Sequence, residues 1–425
     1  MDHFELRDGA LHAEGVDLTT LAVEVGTPVY VYSSATLTRH YRVLREALDA
    51  HPSVLGDSLI AFAVKSNSNL SVLATLARLG CGADTVSQGE IRRALKAGIP
   101  GDRIIFSGVG KTDAELAFAL DVGVRQINVE SVPELDRLIA IADAKGAKPD
   151  VAIRVNPRIG AGGHAKITTG GEGDKFGVPA DEAMALYARA AASPHLNPVA
   201  LACHIGSQIT DLAPLEAAFS LLRKLTETLR QQGLPVTRID LGGGLGVPYT
   251  RGAKTASPAD YAAMVARVLD GLNVEAAFEP GRLLAANAGV LLTRVIQVTE
   301  RADGRKFLVL DAAMNDLMRP AMYDAFHEVK PVVPREGAEV VYDIVGPVCE
   351  TGDTFARGRS LDPLQAGDLV VFTGAGAYGA VMSSEYNSRP LVPEVLVDGD
   401  RMAVVRARPT YEEMLARETT AEWLA

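Results

Sequence analysis

Between residues 29 and 282, short apolar runs alternate with amphipathic stretches. The runs lie at 59–64, 82–86, 104–107, 126–129, 151–155, 199–204, 238–241 and 274–278. The stretches between them carry apolar residues at helical spacing, at 70–79, 88–97, 113–122, 133–145, 181–192, 214–232 and 258–272. Several stop at a glycine suited to a helix end, namely Gly80, Gly98, Gly123 and Gly146. Strands that alternate with helices pair in parallel. Eight such units over roughly 250 residues predict an α/β protein built on a closed (β/α)₈ barrel of the TIM type. A doubly wound open sheet is the alternative, and the number of units favours closure.

One segment breaks this rhythm. Residues 156–178 contain Gly160, Gly162, Gly163, Gly170, Gly171, Gly173 and Gly177, so no helix fits there. Following the fifth strand, such a loop lies on the catalytic face of a barrel and reads as a mobile flap or a disordered insertion. After Arg282 the pattern becomes β-rich, with strands predicted at 289–299, 306–311, 338–345, 368–373, 392–397 and 402–408. Ala302-Asp303-Gly304 marks a hairpin turn. Strands without crossover helices predict an antiparallel β domain, a small barrel or sandwich. The first 28 residues are β-like around Asp8-Gly9 and are expected to join it. The predicted organisation is a barrel domain over 29–282 and a β domain made of 1–28 and 283–425.

Composition narrows the partners. The 425 residues are 48% hydrophobic, enough for two cores. With 42 Lys+Arg against 53 Asp+Glu, the net charge of −11 argues against nucleic acid and anionic membranes. Cys81, Cys203 and Cys349 are odd in number and far apart, which gives no disulfide framework and no CxxC metal pair. No signal-peptide pattern opens the chain, and charges interrupt every apolar run before membrane-spanning length. A cytoplasmic protein with no metal and no membrane partner is expected.

The candidate chemistry sits where the predicted strands end. Lys65 closes the first run and is followed by Ser66-Asn67-Ser68-Asn69. A desolvated lysine at a strand mouth forms imines with carbonyl compounds, pyridoxal phosphate among them. Its ordinary alternative is a lysine that snorkels to solvent. Gly242-Gly243-Gly244 follows the seventh strand, where backbone N–H groups converge on a phosphate in barrels of this kind, or simply make a tight turn. Glu279 ends the eighth strand, ahead of Pro280-Gly281-Arg282. A carboxylate there can hold a pyridine nitrogen protonated, or form a structural salt bridge with Arg282 or Arg154. His204, within His204-Ile205-Gly206-Ser207-Gln208, can pack flat against a planar cofactor or serve as a core histidine. In the β domain, Cys349-Glu350 can supply a proton donor beside a cation clamp, or a buried thiol. Arg319 and Tyr323 can bind a carboxylate together, and Tyr378 among small residues can project into a shared cavity.

Taken together these residues resemble the fold-type III pyridoxal phosphate decarboxylases, and among them the diaminopimelate branch. The resemblance runs through Gly26-Thr27-Pro28-Val29-Tyr30-Val31-Tyr32, Phe62-Ala63-Val64-Lys65-Ser66-Asn67, Lys175-Phe176-Gly177-Val178, His204–Gln208 and Glu279–Arg282. It continues through Met314-Asn315-Asp316-Leu317-Met318-Arg319-Pro320, Cys349-Glu350-Thr351-Gly352-Asp353 and Ala377-Tyr378-Gly379. The Met314–Pro320 stretch and Tyr323 are the parts more specific to that branch. The departures are small: Phe62 stands where tyrosine is common, and Ser66 where alanine is common.

The resemblance implies pyridoxal 5'-phosphate as cofactor, with Lys65 as the lysine that carries it and His204 as the residue stacked on its ring. Ser207, Gly243, Gly244 and the Glu279-Pro280-Gly281-Arg282 segment are implied cofactor contacts. Arg282, Arg319 and Tyr323 are the implied substrate-carboxylate set. Glu350 is implied as the clamp on a distal amine, Cys349 as the proton donor, and Tyr378 as a contact to both cofactor and substrate. The implied reaction turns meso-2,6-diaminopimelate into L-lysine and CO₂. The implied assembly is a homodimer with shared sites, in which Cys349 and Glu350 reach the neighbouring subunit's barrel. Competing readings are a sibling acting on ornithine, arginine or carboxynorspermidine, an alanine racemase, and a non-catalytic pyridoxal phosphate carrier. Arg319 with Tyr323 argues against the siblings, whose substrates lack a distal amino-carboxylate.

Overall fold

The computed structural model describes residues 2–160, 169–171, 173–250 and 254–424. The chain divides into two compact units, Leu37–Leu284 on the one hand and Met1–Thr36 with Ala285–Ala425 on the other. The first is the barrel. Its strands are Leu59–Ala63, Gly82–Thr85, Ile104–Phe106, Gln126–Val129, Asp150–Asn156, Asn197–Ala202, Arg238–Asp240 and Glu275–Phe278. Each pairs in parallel with the next, and Glu275–Phe278 pairs back onto Leu59–Ala63, so the ring closes. Closure excludes the open doubly wound sheet.

The strands are buried along most of their length because both faces are covered. The helices between them begin at side-chain caps. Ser87, Thr112, Ser131 and Ser257 each accept a backbone N–H from the first helical turn. Gly146 ends the helix Val132–Lys145 in the left-handed conformation, with φ 59°. Lys111, fully buried, donates to Glu134 at 2.6 Å and to the carbonyls of Gly108 and Asn128 at 2.7 Å.

The other unit holds the expected β domain, a mostly antiparallel sheet with two parallel pairings among the described strands. Gly289–Glu300 pairs antiparallel with Val29–Ser33, Lys306–Leu310 and Leu369–Phe372. Val29–Ser33 is parallel to Glu394–Asp398, and Lys306–Leu310 is parallel to Val340–Val345. Phe4–Arg7 and Ala10–Ala13 form the expected hairpin, with Asp8 and Gly9 both at positive φ.

Sequence and structure differ at several places. The strand Val29–Ser33 lies in the β sheet, so the divide falls after residues 36 and 284 rather than 28 and 282. Its residues are all buried, and Tyr30 Oη donates to the carbonyl of Asp316 at 2.5 Å. A continuous apolar run does not say which sheet it enters. The helix Leu18–Val25, capped by Asp17, stands in a region expected to be wholly β-like. The helix Ser34–Asp49 and the strands Val329–Pro331 and Thr354–Leu361 were not anticipated. Thr354–Leu361 reads TFARGRSL, and its charged residues and glycine mask the alternation. The Gly-rich stretch 156–178 lies partly outside the described residues, at 161–168 and 172. Among described residues, Thr169 bonds the carbonyls of His204 and Ile205, and Val178–Pro179 pairs with the end of Asp150–Asn156. No described helix is long and apolar enough to cross a membrane.

Candidate active site

Lys65 sits in a tight turn, Val64–Ser66, that continues the strand Leu59–Ala63 past the barrel rim. Its Nζ lies 2.6 Å from Asp84 Oδ2, at the end of the neighbouring strand. The lysine side chain keeps 34% of its surface exposed, whereas that of Asp84 is wholly buried. The ammonium therefore sits on the floor of the mouth and stays accessible from above.

Glu279 and Asp240 end the two strands on the other side of Lys65. Glu279 is 7% exposed, and its Oε1 has no hydrogen-bond partner among the described residues. Burial raises its carboxyl well above the usual range, and the charges of Asp240 and Asp84 raise it further against the pull of Lys65 and Arg154. Burial raises Asp240 as well, and the charge of Asp84 adds to it against the hydrogen bonds from Asn128 and Gly242. Asp240 is braced from below. Its Oδ2 accepts from Asn128 Nδ2 at 2.9 Å and Gln126 Nε2 at 3.2 Å, while Oδ1 accepts from the N–H of Gly242 at 3.0 Å. Arg154 pairs with Glu130 at 2.8 Å instead of with Glu279.

His204 accepts the N–H of Gly243 at Nδ1, 3.2 Å away, which leaves its proton on Nε2. Dense packing, then the charges of Lys65 and Arg154, hold the imidazole well below its usual range, so the ring is neutral. The glycine turn beside it has no room for side chains. A Cβ on Gly242 meets the carbonyl of Cys203 at 2.5 Å, one on Gly244 meets that of Gly206 at 2.6 Å, and one on Gly243 meets that of Glu279. The next polar group along the rim is Arg282. Its Nε and Nη2 donate to Ser207 Oγ at 3.2 and 3.0 Å, and its Nη1 donates to Tyr249 Oη at 2.5 Å. Gly281 lies against Ser66 and Ala63, where a Cβ comes within 3.0 Å of the serine side chain, and the carbonyl of Pro280 accepts from Ala63 N. The barrel thus brings together Lys65, His204, Ser207, Gly243, Gly244, Glu279, Pro280, Gly281 and Arg282.

The β unit carries the rest. Arg319 and Tyr323 open and close the helix Arg319–Tyr323, with the guanidinium buried and the phenol half-buried. Cys349 and Glu350 lie in the exposed loop between Val340–Val345 and Thr354–Leu361. Cys349 donates its N–H to Asn387 Oδ1 at 3.2 Å, and Glu350 hydrogen-bonds the hydroxyl of Tyr386 and so raises that phenol above its ordinary value. Asp353 ties this loop to the segment before Arg319, because it accepts from Val348 N and Met314 N at 2.7 Å each. Tyr378 is half-buried and left-handed, with φ 55°, in the loop after Leu369–Phe372.

Comparison with known proteins gives this arrangement its relatives. The family model described as pyridoxal-dependent decarboxylase, pyridoxal binding domain, matches residues 36–286. The diaminopimelate decarboxylase of Zymomonas mobilis is 49% identical over 422 residues, 99% of each chain. That of Pseudomonas aeruginosa is 48% identical over 419 residues, again 99% of each. The chain belongs to the diaminopimelate decarboxylase family. Among solved structures, the M. jannaschii diaminopimelate decarboxylase in complex with L-lysine superposes with a TM-score of 0.95 at 34% identity, covering 100% of this chain and 99% of the other. The Helicobacter pylori enzyme complexed with L-lysine gives 0.90 at 39% identity, covering 94% and 99%. The cofactor of the family is pyridoxal phosphate.

Asp84 and Asp240 are polar strand ends that the sequence pattern alone does not single out, and Tyr249 and Tyr386 carry no signal there. Asn387 is left-handed at φ 55°, a conformation asparagine tolerates better than most residues, and that preference was the available clue.

The raised carboxyls make a prediction about stability. A group that titrates higher in the folded protein than in the unfolded chain destabilises the fold as pH rises through its folded range. In cofactor-stripped protein, Glu279→Gln is therefore expected to raise the melting temperature at about pH 8, and the gain is expected to shrink towards about pH 4.5. An equal shift at both values, measured by thermal melts, contradicts the raised carboxyl.

Proposed function

We propose that this protein decarboxylates meso-2,6-diaminopimelate to L-lysine and CO₂ with pyridoxal 5'-phosphate, the last step of lysine synthesis through diaminopimelate. The observation that carries the cofactor site is the orphaned, buried carboxylate oxygen of Glu279 beside the Lys65–Asp84 pair. An unpartnered buried carboxylate fits a protonated ring nitrogen, and a turn with no room for Cβ atoms fits a phosphate. The full-length match to diaminopimelate decarboxylases, together with buried Arg319, supports the substrate.

Bound pyridoxal phosphate supplies the electron sink that takes up the charge left when CO₂ departs. The chain does the rest. Lys65 would hold the cofactor covalently, and Asp84 fixes its Nζ on the floor of the mouth. Glu279 keeps the ring nitrogen protonated. Neutral His204 packs against the ring without adding a charge. Ser207, Gly243, Gly244, Pro280, Gly281, Arg282 and Tyr378 hold the cofactor. Arg282, Arg319, Tyr323 and Tyr378 bind substrate, and Glu350 clamps its distal amine. With the distal L-centre held, only the D-centre reaches the cofactor. Cys349 Sγ then delivers the proton that completes the product.

A substrate panel tests this reading. Only meso-diaminopimelate is expected to release CO₂ at a substantial rate, with L-lysine as product. Faster release from ornithine or arginine overturns the substrate. Arg319→Ala is expected to raise KM for meso-diaminopimelate by about a hundredfold, as for a lost charge-assisted pair, with normal cofactor content.

The family resemblance supports a homodimer in which Cys349 and Glu350 complete the neighbouring subunit's site. Free cysteines, two buried and Cys349 exposed, support a reducing, cytoplasmic location. Complementation tests the dimer. Lys65→Ala and Cys349→Ala homodimers are each expected to be nearly inactive. After subunit exchange at equal concentration, about half the dimers are mixed, and each has one intact composite site, so activity recovers to roughly a quarter of the parent. No recovery, with exchange confirmed by tag pull-down, contradicts the shared site.

A further inference from the structure

We infer that His327 is a positioning residue for Arg319, which it holds in place through a single ring tautomer. The inference rests on the reading that Arg319 grips the substrate's distal carboxylate.

The helix Arg319–Tyr323 ends at Asp324, whose backbone is left-handed with φ 50°. That reversal returns the chain on itself and lays His327 against Arg319, the residue eight positions earlier. His327 then leads into Val329–Pro331, which pairs antiparallel with Leu369–Phe372. The ladder continues one step, where Thr373 N donates to the carbonyl of Glu328 at 2.9 Å. This fixes the carbonyl of Thr373 beside the His327 ring, 2.9 Å from Nδ1.

Two contacts of the ring together assign its proton. A carbonyl oxygen only accepts, so Nδ1 carries the hydrogen. The guanidinium only donates, so Nε2, 3.0 Å from Arg319 Nη1, presents a lone pair. The imidazole is therefore neutral in this geometry, and an imidazolium has no lone pair to offer Arg319. His327 is 3% exposed and Arg319 6%, so water is poorly placed to replace the bond. Because the guanidinium is a rigid plane, fixing Nη1 fixes the direction of its other N–H groups. Histidine here supplies an uncharged acceptor to the Arg319 cation. An aspartate in its place closes an ion pair and competes with a substrate carboxylate for the same charge.

Kinetics of the intact holoenzyme test the inference. His327→Phe keeps the bulk and removes the acceptor. It is expected to raise KM for meso-diaminopimelate about tenfold, equivalent to ~1.4 kcal/mol, with kcat within about twofold and cofactor content unchanged. His327→Gln places Oε1 where Nε2 stood and is expected to bring KM back to within about threefold of the parent. In the Arg319→Ala background, His327→Phe is expected to add nothing, because it acts through the missing guanidinium. Ring ¹⁵N NMR of the parent, with the His327 signal assigned from its loss in His327→Gln, is expected to show a protonated Nδ1 and a bare Nε2. If Arg319→Ala leaves KM unchanged, the substrate role of Arg319 fails and the positioning role falls with it. If Arg319→Ala raises KM but His327→Phe does not, or if the proton sits on Nε2, the positioning role alone is overturned. The NMR result needs no variant of Arg319 and no folded His327→Phe protein.

Discussion

A carboxylate buried without a cation or a proton is among the least favourable groups a protein can hold. Glu279 avoids that cost by titrating well above the usual carboxyl range: burial raises it, the charges of Asp240 and Asp84 raise it further, and its Oε1 has no hydrogen-bond partner among the described residues. The nearby ammonium of Lys65 is engaged by Asp84, and the guanidinium of Arg154 by Glu130. A buried carboxyl held high in this way, with one oxygen unpartnered, suits a ring nitrogen that can share its proton. Asp240 is held beside Glu279 by hydrogen bonds from Asn128, Gln126 and Gly242.

Ring closure is what makes this crowding possible. Lys65, Asp84, Asp240 and Glu279 come from strands whose carboxyl ends meet only once Glu275–Phe278 pairs with Leu59–Ala63. The same closure brings Gly242-Gly243-Gly244 against Cys203, Gly206 and Glu279, where any Cβ collides with a carbonyl. In the β unit, side chains of Asn315, Asp353 and Asn387 knit together the segments that carry Arg319, Cys349 and Glu350. Both units follow one rule. The residues suited to chemistry sit on loops and strand ends, and buried polar neighbours fix their orientation.

The parts of this architecture that were legible in the sequence are those dominated by local pattern. The eight barrel strands are buried on both faces and stand out as apolar runs, and Gly146 marks a helix end by its backbone freedom alone. Lys65 and Glu279 were legible because each abuts such a run. Elements whose character depends on distant partners were not. Val29–Ser33 looks like any buried strand, and only its pairing with Gly289–Glu300 and Glu394–Asp398 assigns it to the β sheet. Thr354–Leu361 is half exposed and too polar to show a period of two. The mutual repulsion of Glu279 and Asp240 joins residues 39 positions apart, and the bond from His327 to Arg319 depends on a left-handed Asp324. Neither leaves a mark in a linear pattern.

The central claim is that the barrel mouth holds pyridoxal phosphate on Lys65. Borohydride reduction of the purified holoenzyme, followed by proteolysis and mass spectrometry, tests it most directly. The account predicts loss of the visible absorption band and one phosphopyridoxyl group on the peptide that contains Lys65. A label on any other lysine, or reduction that leaves no label on the chain, contradicts it.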